Sequence, residues 1–204
     1  MIVTKIEMIS KNKYQVFLDN KFAFVLYKGE LLHYQIEEEK ELDEAVCLEI
    51  KKKVVLKRAK LRAMHLLNDM DRTEGQLRDK LKGNGYTEDI IDEALAYVKS
   101  FGYVNDLQYA KRFIDYKKEK KSKKEIYALL CNKGLSKDLI EEAFEESYDR
   151  EDSKSAIEEL IRKKKYCPET ATDKEKQKIF AYLIRKGFSY EDVRQVIQVS
   201  GWNA

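Results

Sequence analysis

Apolar positions between Arg72 and Asp106 fall into two helical stripes separated by glycine. Leu77 and Leu81 recur at i and i+4; after a polar break Ile90, Ile91, Ala94, Leu95 and Val98 continue the helical period. Thr73 followed three residues later by Gln76 predicts a capping box at the start of the first helix, and Thr87 predicts the cap of the second. Gly83 and Gly85 supply the positive φ that ends the first helix, Gly102 stops the second, and Asn105 or Asp106 can cap the next.

The same order returns twice. Ser122 and Glu125 predict a second capping box, Ile126 and Leu130 repeat the stripe, and Gly134 with Ser136 makes the turn and cap before Leu139, Ile140, Ala143 and Phe144. A third pass runs through Thr172 and Glu175, Ile179 and Leu183, Gly187, Ser189, Val193, Val196 and Ile197. The turn glycines lie 49 and then 53 residues apart, and the longer distance from Thr172 to Gly187 predicts an extra helical turn in the last copy. Leu56–Asn68, Leu107–Tyr116 and Lys154–Lys164 read as the opening helix of each unit.

The first forty residues follow a different pattern. Lys13–Tyr27 is dense in aromatic and β-branched residues, and Asp19-Asn20 interrupts it with tight-turn chemistry, which predicts a β-hairpin. Val3–Met8 is available as a third strand, and Glu30–Tyr34 as one helical turn. Asp43 is a good N-cap for a long helix, or two abutting ones, through Leu67. These elements predict a mainly α protein, a tandem array of three three-helix, helix-turn-helix-like repeats with a small N-terminal β-hairpin region. The expected segments are the hairpin region 1–42, a connecting helix 43–55, and repeats over 56–105, 106–152 and 153–204. Because each repeat has its own apolar stripes, residues 43–204 are expected to fold without the hairpin.

Composition agrees with helices whose outer faces are solvated: 43% apolar, 38% charged, one proline and eight glycines in 204 residues. No apolar run is long enough to span a membrane and no signal-peptide stretch opens the chain, so a cytoplasmic protein with reduced cysteines is expected. The net charge of +3 hides local runs, KKEKKSKK at 117–124 and eight acids over 138–152, and residues 153–204 carry 11 basic against 7 acidic side chains. Such runs serve either as solvated faces held by i,i+4 pairs or as partner-binding faces. No phosphate-binding loop, metal-ligand spacing or catalytic dyad is present; Gly83-Asn84-Gly85 reads as a turn, and His33 and His65 stand alone. No enzyme and no cofactor are expected. A basic second helix would make the two-helix units DNA readers, but Glu74 and Asp79 argue against groove recognition and leave weak nonspecific phosphate contact by lysines.

Four stretches resemble the RecX family of bacterial regulatory proteins, modulators of the RecA recombinase. They are Arg72-Thr73-Glu74 with Leu77, Leu81 and Gly85-Tyr86; Phe101–Asp106 leading to Tyr109, Ala110 and Phe113; Ile126, Leu130 and Lys133-Gly134-Leu135; and Tyr182–Ser189. The resemblance covers residues 56–200 in family order. It implies three tandem three-helix repeats and a variable N-terminal region. It also implies binding to the RecA–DNA filament, in its groove, with inhibition of ATP turnover, strand exchange and co-protease function, a role in recombination, repair and the SOS response. On that reading the chain is a monomer that contacts RecA, touches DNA weakly and nonspecifically, and meets no membrane. The residues expected to form the contact lie beside the motifs: Arg72, Arg78, Lys82, Tyr103, Asp106, Lys123, Lys124, Lys133, Lys178, Arg185 and Lys186.

Overall fold

The structure, a computed structural model, describes residues 1–167 and 170–197. The last residues of the expected third repeat therefore lie outside the described residues. The chain divides into two compact units, residues 1–105 and residues 106–204.

The first unit opens with a three-stranded antiparallel sheet in the order β1 (Val3–Ser10), β2 (Lys13–Leu18), β3 (Lys21–Tyr27). Asp19 and Asn20 form its second turn with φ of 48° and 64°, the left-handed pair that matches strand twist and that Asp and Asn tolerate. Val3–Ser10 pairs along β2, so the hairpin gains the third strand it needs to be stable in water. Helix α1 (Lys28–His33) follows. A helical run then holds α2 (Glu44–Glu49), a π-helical stretch (Ile50–Leu56) and α3 (Lys57–Asp69). Asp43 caps it, accepting from the Ala45 N–H at 2.7 Å.

The two-helix pattern of the first repeat is α4 (Glu74–Gly83) and α5 (Glu88–Ser100), with α3 as opening helix. The Thr73–Gln76 capping box forms in both directions. Thr87 stands at the N-cap of α5 but makes no capping hydrogen bond. Of the two glycines at the end of α4, only Gly85 takes positive φ, 84°. The Tyr86 N–H then reaches the Leu81 carbonyl at 3.4 Å, satisfying an orphan carbonyl of the last turn.

The second unit repeats the device. Helices α6 (Asp106–Lys117), α7 (Lys123–Cys131) and α8 (Lys137–Ser147) are followed by α9 (Arg150–Lys163), α10 (Asp173–Arg185) and α11 (Tyr190–Ile197). Gly134 and Gly187 have φ of 83° and 89°, and Leu135 and Phe188 donate to the carbonyls of Leu130 and Leu183, as Tyr86 does to Leu81. Helix α10 has 13 residues against 10 in α4 and 9 in α7, the extra turn expected from the wider spacing. The second capping box is only half made. Ser122 accepts from the Glu125 N–H, but the Glu125 carboxylate turns to the Lys121 ammonium.

Three apolar cores result. One lies among α6–α8 around Ile114, Ile126, Leu130 and Phe144, and another among α9–α11 around Ile157, Leu183 and Val193. The third corrects the expectation of a separable hairpin region. Val16, Phe24 and Leu26 of the sheet join Ile50, Ala59, Leu77 and Ile91 in a single cluster, so the break drawn at residue 42 is not a break in packing. The alternate face of β3 is also covered: Val25 is 8% exposed, and its Cγ2 lies 2.9 Å from where a Cβ on Gly85 would sit.

Candidate partner-binding surfaces

In the first unit the basic side chains named from the sequence are occupied in holding the repeat together. Arg78 bridges α4 to α5, meeting Asp92 at 2.7 Å, Glu88 at 3.0 Å and Glu74 at 3.5 Å. Lys82 joins Glu88 at 2.9 Å, and Lys99 joins Glu74 at 2.7 Å. Lys82 first and Arg78 second hold the Glu88 carboxyl below its usual range by hydrogen bonding to its charged form. Arg72 is half-buried and donates from Nε to the Leu66 carbonyl at 3.1 Å, closing the turn between α3 and α4. Arg72 and Arg78 are half-buried against these partners, whereas Lys82 pairs with Glu88 on the exposed surface.

Tyr103 is different. It is exposed and stacks on Phe101 with ring centroids 5.7 Å apart; Phe101 in turn meets Tyr97 edge-on at 5.0 Å, and the Lys60 ammonium lies 4.7 Å from the Tyr97 centroid. Sequence reasoning singled out Tyr103 but missed Phe101, Tyr97 and Lys60 as its companions. The period-3.6 signal that could have joined Tyr97 to Phe101 was read only for core positions. Asp106 is the first residue of α6 and half-buried.

The lysine run of 117–124 splits into two populations. Lys118 pairs with Asp115 and Asp152, and Lys121 with Glu125, as expected of a solvated helix face. Lys117 lies over Tyr116 and Phe113, Lys120 over Tyr116 and Lys123 over Phe144, at 4.5 to 5.8 Å from the ring centroids. Lys133 covers Tyr109 and Phe113 at 5.5 and 5.3 Å. A ring face attracts an ammonium without neutralising it, so Lys117, Lys120 and Lys123 keep their charge beside these rings.

Four of the named residues come together. Lys124 lines one shallow cleft with Arg185, Lys186 and Gly187; Lys123 and Lys124 line a larger neighbouring one of about 570 Å³ with Ser122, Arg150 and Gly187. This basic seam joins α7 to the end of α10, and Arg150, which the sequence did not single out, belongs to its wall. Arg150 is held by Glu191 and Asp192. Lys178 lies elsewhere, in a cleft with Lys164, Lys165 and Tyr182. Among the described residues no group of three His, Cys, Asp or Glu side chains is placed to hold a metal, and no helix is long and apolar enough to cross a membrane.

Comparison with known proteins gives a consistent set. Residues 59–97 match the family model described as RecX, first three-helix domain, and residues 151–197 that of the RecX third three-helix domain. The protein named regulatory protein RecX of Caldanaerobacter subterraneus subsp. tengcongensis is 34% identical over 202 residues, covering 98% of this chain and 100% of that one. Its namesake in Clostridium beijerinckii is 31% identical over 96% of this chain and 94% of its own length. Among solved structures, RecX from Lactobacillus salivarius has a TM-score of 0.59 at 25% identity, over 70% of this chain and 94% of that one. A second structure, described as regulatory protein RecX, superposes over 97% of this chain and 98% of that one with a TM-score of 0.62; at 24% identity it speaks for the fold.

Proposed function

Since this chain belongs to the RecX family of regulatory proteins, we propose that it is a non-catalytic regulator which binds the RecA recombinase in the groove of the RecA–DNA filament. Binding there inhibits ATP turnover, strand exchange and co-protease activity. The observation that carries the reading is the match along nearly the whole chain, sheet included, to proteins named regulatory. Its setting is the cytoplasm, where recombination and repair take place, and it acts as a monomer.

The seam of Lys123, Lys124, Arg185 and Lys186 is the surface best suited to meet the filament. It brings cations from two repeats to one place, beside the motif glycine of the third repeat. Arg72, Arg78 and Lys82 fix α4 and its neighbours within the first repeat rather than touching the partner. Tyr103 with Phe101 offers an aromatic anchor, the kind of exposed side chain enriched where interfaces gain their energy.

The test is ATP turnover by the cognate RecA on single-stranded DNA, titrated with this protein. Turnover should fall as the protein is added, and it should fall less with Lys124→Gln/Lys186→Gln. Unchanged turnover at saturating protein overturns the reading. A second reading, a nucleic-acid-binding repeat protein with no filament partner, is favoured by the lysines set over aromatic rings along α6 and α7. On that reading naked DNA and filament compete equally for the protein.

A further inference from the structure

A cleft in the first unit carries a charge pattern that the regulatory reading does not use. It has a volume of about 440 Å³ and is walled by Lys13 and Tyr27 of the sheet, Arg58 and Arg62 of α3, and Asn84 and Tyr86 of the turn between α4 and α5. His65 also lines it, and no carboxylate does. The nearest acids are already engaged from behind. Glu30 pairs with Arg58 and accepts from the Tyr27 N–H, and Asp69 lies 3.6 Å from the His65 Nδ1.

The sequence builds this cleft through one glycine. Gly85 brings the turn so close to β3 that a Cβ would stand 2.9 Å from Val25 Cγ2, and its neighbours Asn84 and Tyr86 are thereby set against the strand and α3. Arg58 is held by the Glu30 carboxylate, whereas Lys13 and Arg62 are held by groups that do not cancel their charge. Arg58 donates to the Val25 carbonyl at 3.1 Å and stacks on the Tyr27 ring at 4.5 Å; Lys13 lies 5.6 Å from the same ring centroid. Arg62 donates from Nε to Asn84 Oδ1 at 2.9 Å, which leaves its terminal N–H groups and the Asn84 amide as further donors. Lys13 and Arg62 have no carboxylate within ion-pair distance among the described residues.

We infer that this cleft binds the phosphoryl group of a phosphate ester, with Lys13 and Arg62 as its direct cationic ligands and Asn84 and Tyr86 as neutral donors beside them. Several N–H donors converging from different backbone elements suit a tetrahedral oxyanion with three or more acceptor oxygens better than a carboxylate with two. Arg58 is a positioning residue here, since Glu30 and the Val25 carbonyl already take its donors. The phosphate can come from a free nucleotide or from the backbone of a nucleic-acid strand, which present the same group. The site is built from residues of the first unit alone, the seam at Lys124 and Lys186 from residues of the second, and it needs no recombinase to be tested.

The experiment uses the full chain with three probes at low and at physiological salt: thymidine monophosphate, an oligothymidylate of about a dozen residues, and polyglutamate of matched charge. Side-chain amide signals of Asn84 in NMR titrations report where each probe sits. Lys13→Gln/Arg62→Gln should weaken the phosphate probes roughly tenfold or more, the scale of one lost hydrogen bond to a charged group. For the oligonucleotide the slope of log affinity against log salt should also fall by about 1.4, two phosphate contacts at about 0.7 each. Lys52→Gln, an exposed lysine elsewhere in the unit, should change neither. Response to thymidine monophosphate assigns the site to free nucleotides, and response to the oligonucleotide alone assigns it to a strand. If polyglutamate binds as well as the phosphate probes, or if the double variant matches the parent with every probe, the inference is overturned. RecA turnover measured with the same variant separates this outcome from the regulatory reading, which depends on the seam.

Discussion

The Ser122 hydroxyl donates to the Lys186 carbonyl at 2.6 Å, tying the start of α7 to the end of α10 across 64 residues of sequence. Ser122 does two jobs at once, since its oxygen also accepts the Glu125 N–H as N-cap of α7. The contact is possible because Gly187 follows Lys186. A Cβ there would lie 3.0 Å from Ser122 Oγ and 3.1 Å from Lys124 Cβ.

Gly187→Ala should therefore destabilise the second unit on two counts, the positive φ and the crowding of Ser122, by about 1–3 kcal/mol together. Gly29→Ala, where a Cβ meets nothing within 4 Å, should stay within about 0.5 kcal/mol of the parent. Urea denaturation of the two variants checks this; equal midpoints would mean that the seam accommodates a methyl group.

Removing residues 1–42 should unfold most of the first unit. Val16, Phe24 and Leu26 are essentially fully buried in the core that also holds Leu77 and Ile91, and deleting the sheet strips that core of one wall. Circular dichroism of residues 43–204 should show substantial loss of helix, with the remaining signal melting as the second unit does. Retention of the full helical signal would restore the separable hairpin expected from the apolar stripes alone.

Stability should also report Glu74. Its hydrogen bond to the Lys99 ammonium, with Arg78 assisting, outweighs burial and lowers its folded pKa. A carboxylate with a lowered folded pKa contributes stability above its unfolded pKa and loses it as pH falls through the folded one. Glu74→Gln should therefore cost under about 1 kcal/mol at neutral pH and progressively less in acid, where the parent carboxylate is protonated too. Denaturation of both proteins from about pH 7 to about pH 3 follows the gap; a gap that widens in acid would rule out the ion pair as its source.

Binding to a RecA–DNA filament should exceed binding to bare single-stranded DNA of the same length at about 150 mM salt. With a net charge of only +3, contact with DNA alone rests on counterion release and weakens by orders of magnitude between roughly 50 and 200 mM salt. Contact with filament protein adds apolar and hydrogen-bonded terms that salt screens less. Paired titrations decide it, and equal affinities would favour the nucleic-acid reading.

Much of the local chemistry was readable from the sequence, though Thr87 makes no capping bond, Gly83 takes no positive φ and the Glu125 carboxylate turns to Lys121. Thr73, Ser122 and Thr172 accept their capping hydrogen bonds, Asp19-Asn20 makes the hairpin turn, and Gly85, Gly134 and Gly187 take positive φ. Other failures depended on residues in different elements. Arg78 reads as a contact candidate because Glu88 and Asp92 belong to the next helix, and the lysine run divides partly because Asp152 and the Phe144 ring lie in other elements. The sheet looked detachable because periodicity shows that a face is apolar without showing what covers it. The cleft of Lys13 and Arg62 was invisible for the same reason: its residues come from two strands, a helix and a turn that are far apart in the chain.

The close approach of Gly85 to Val25 has a counterpart in that of Gly187 to Ser122 and Lys124. In both, a turn glycine receives the element that precedes its repeat, a neighbouring repeat in one case and the sheet in the other. The sheet thus takes against Gly85 the berth that the second repeat takes against Gly187. Lengthening the array by inserting a copied repeat before residue 56 would force the newcomer to compete with β3 for the same glycine.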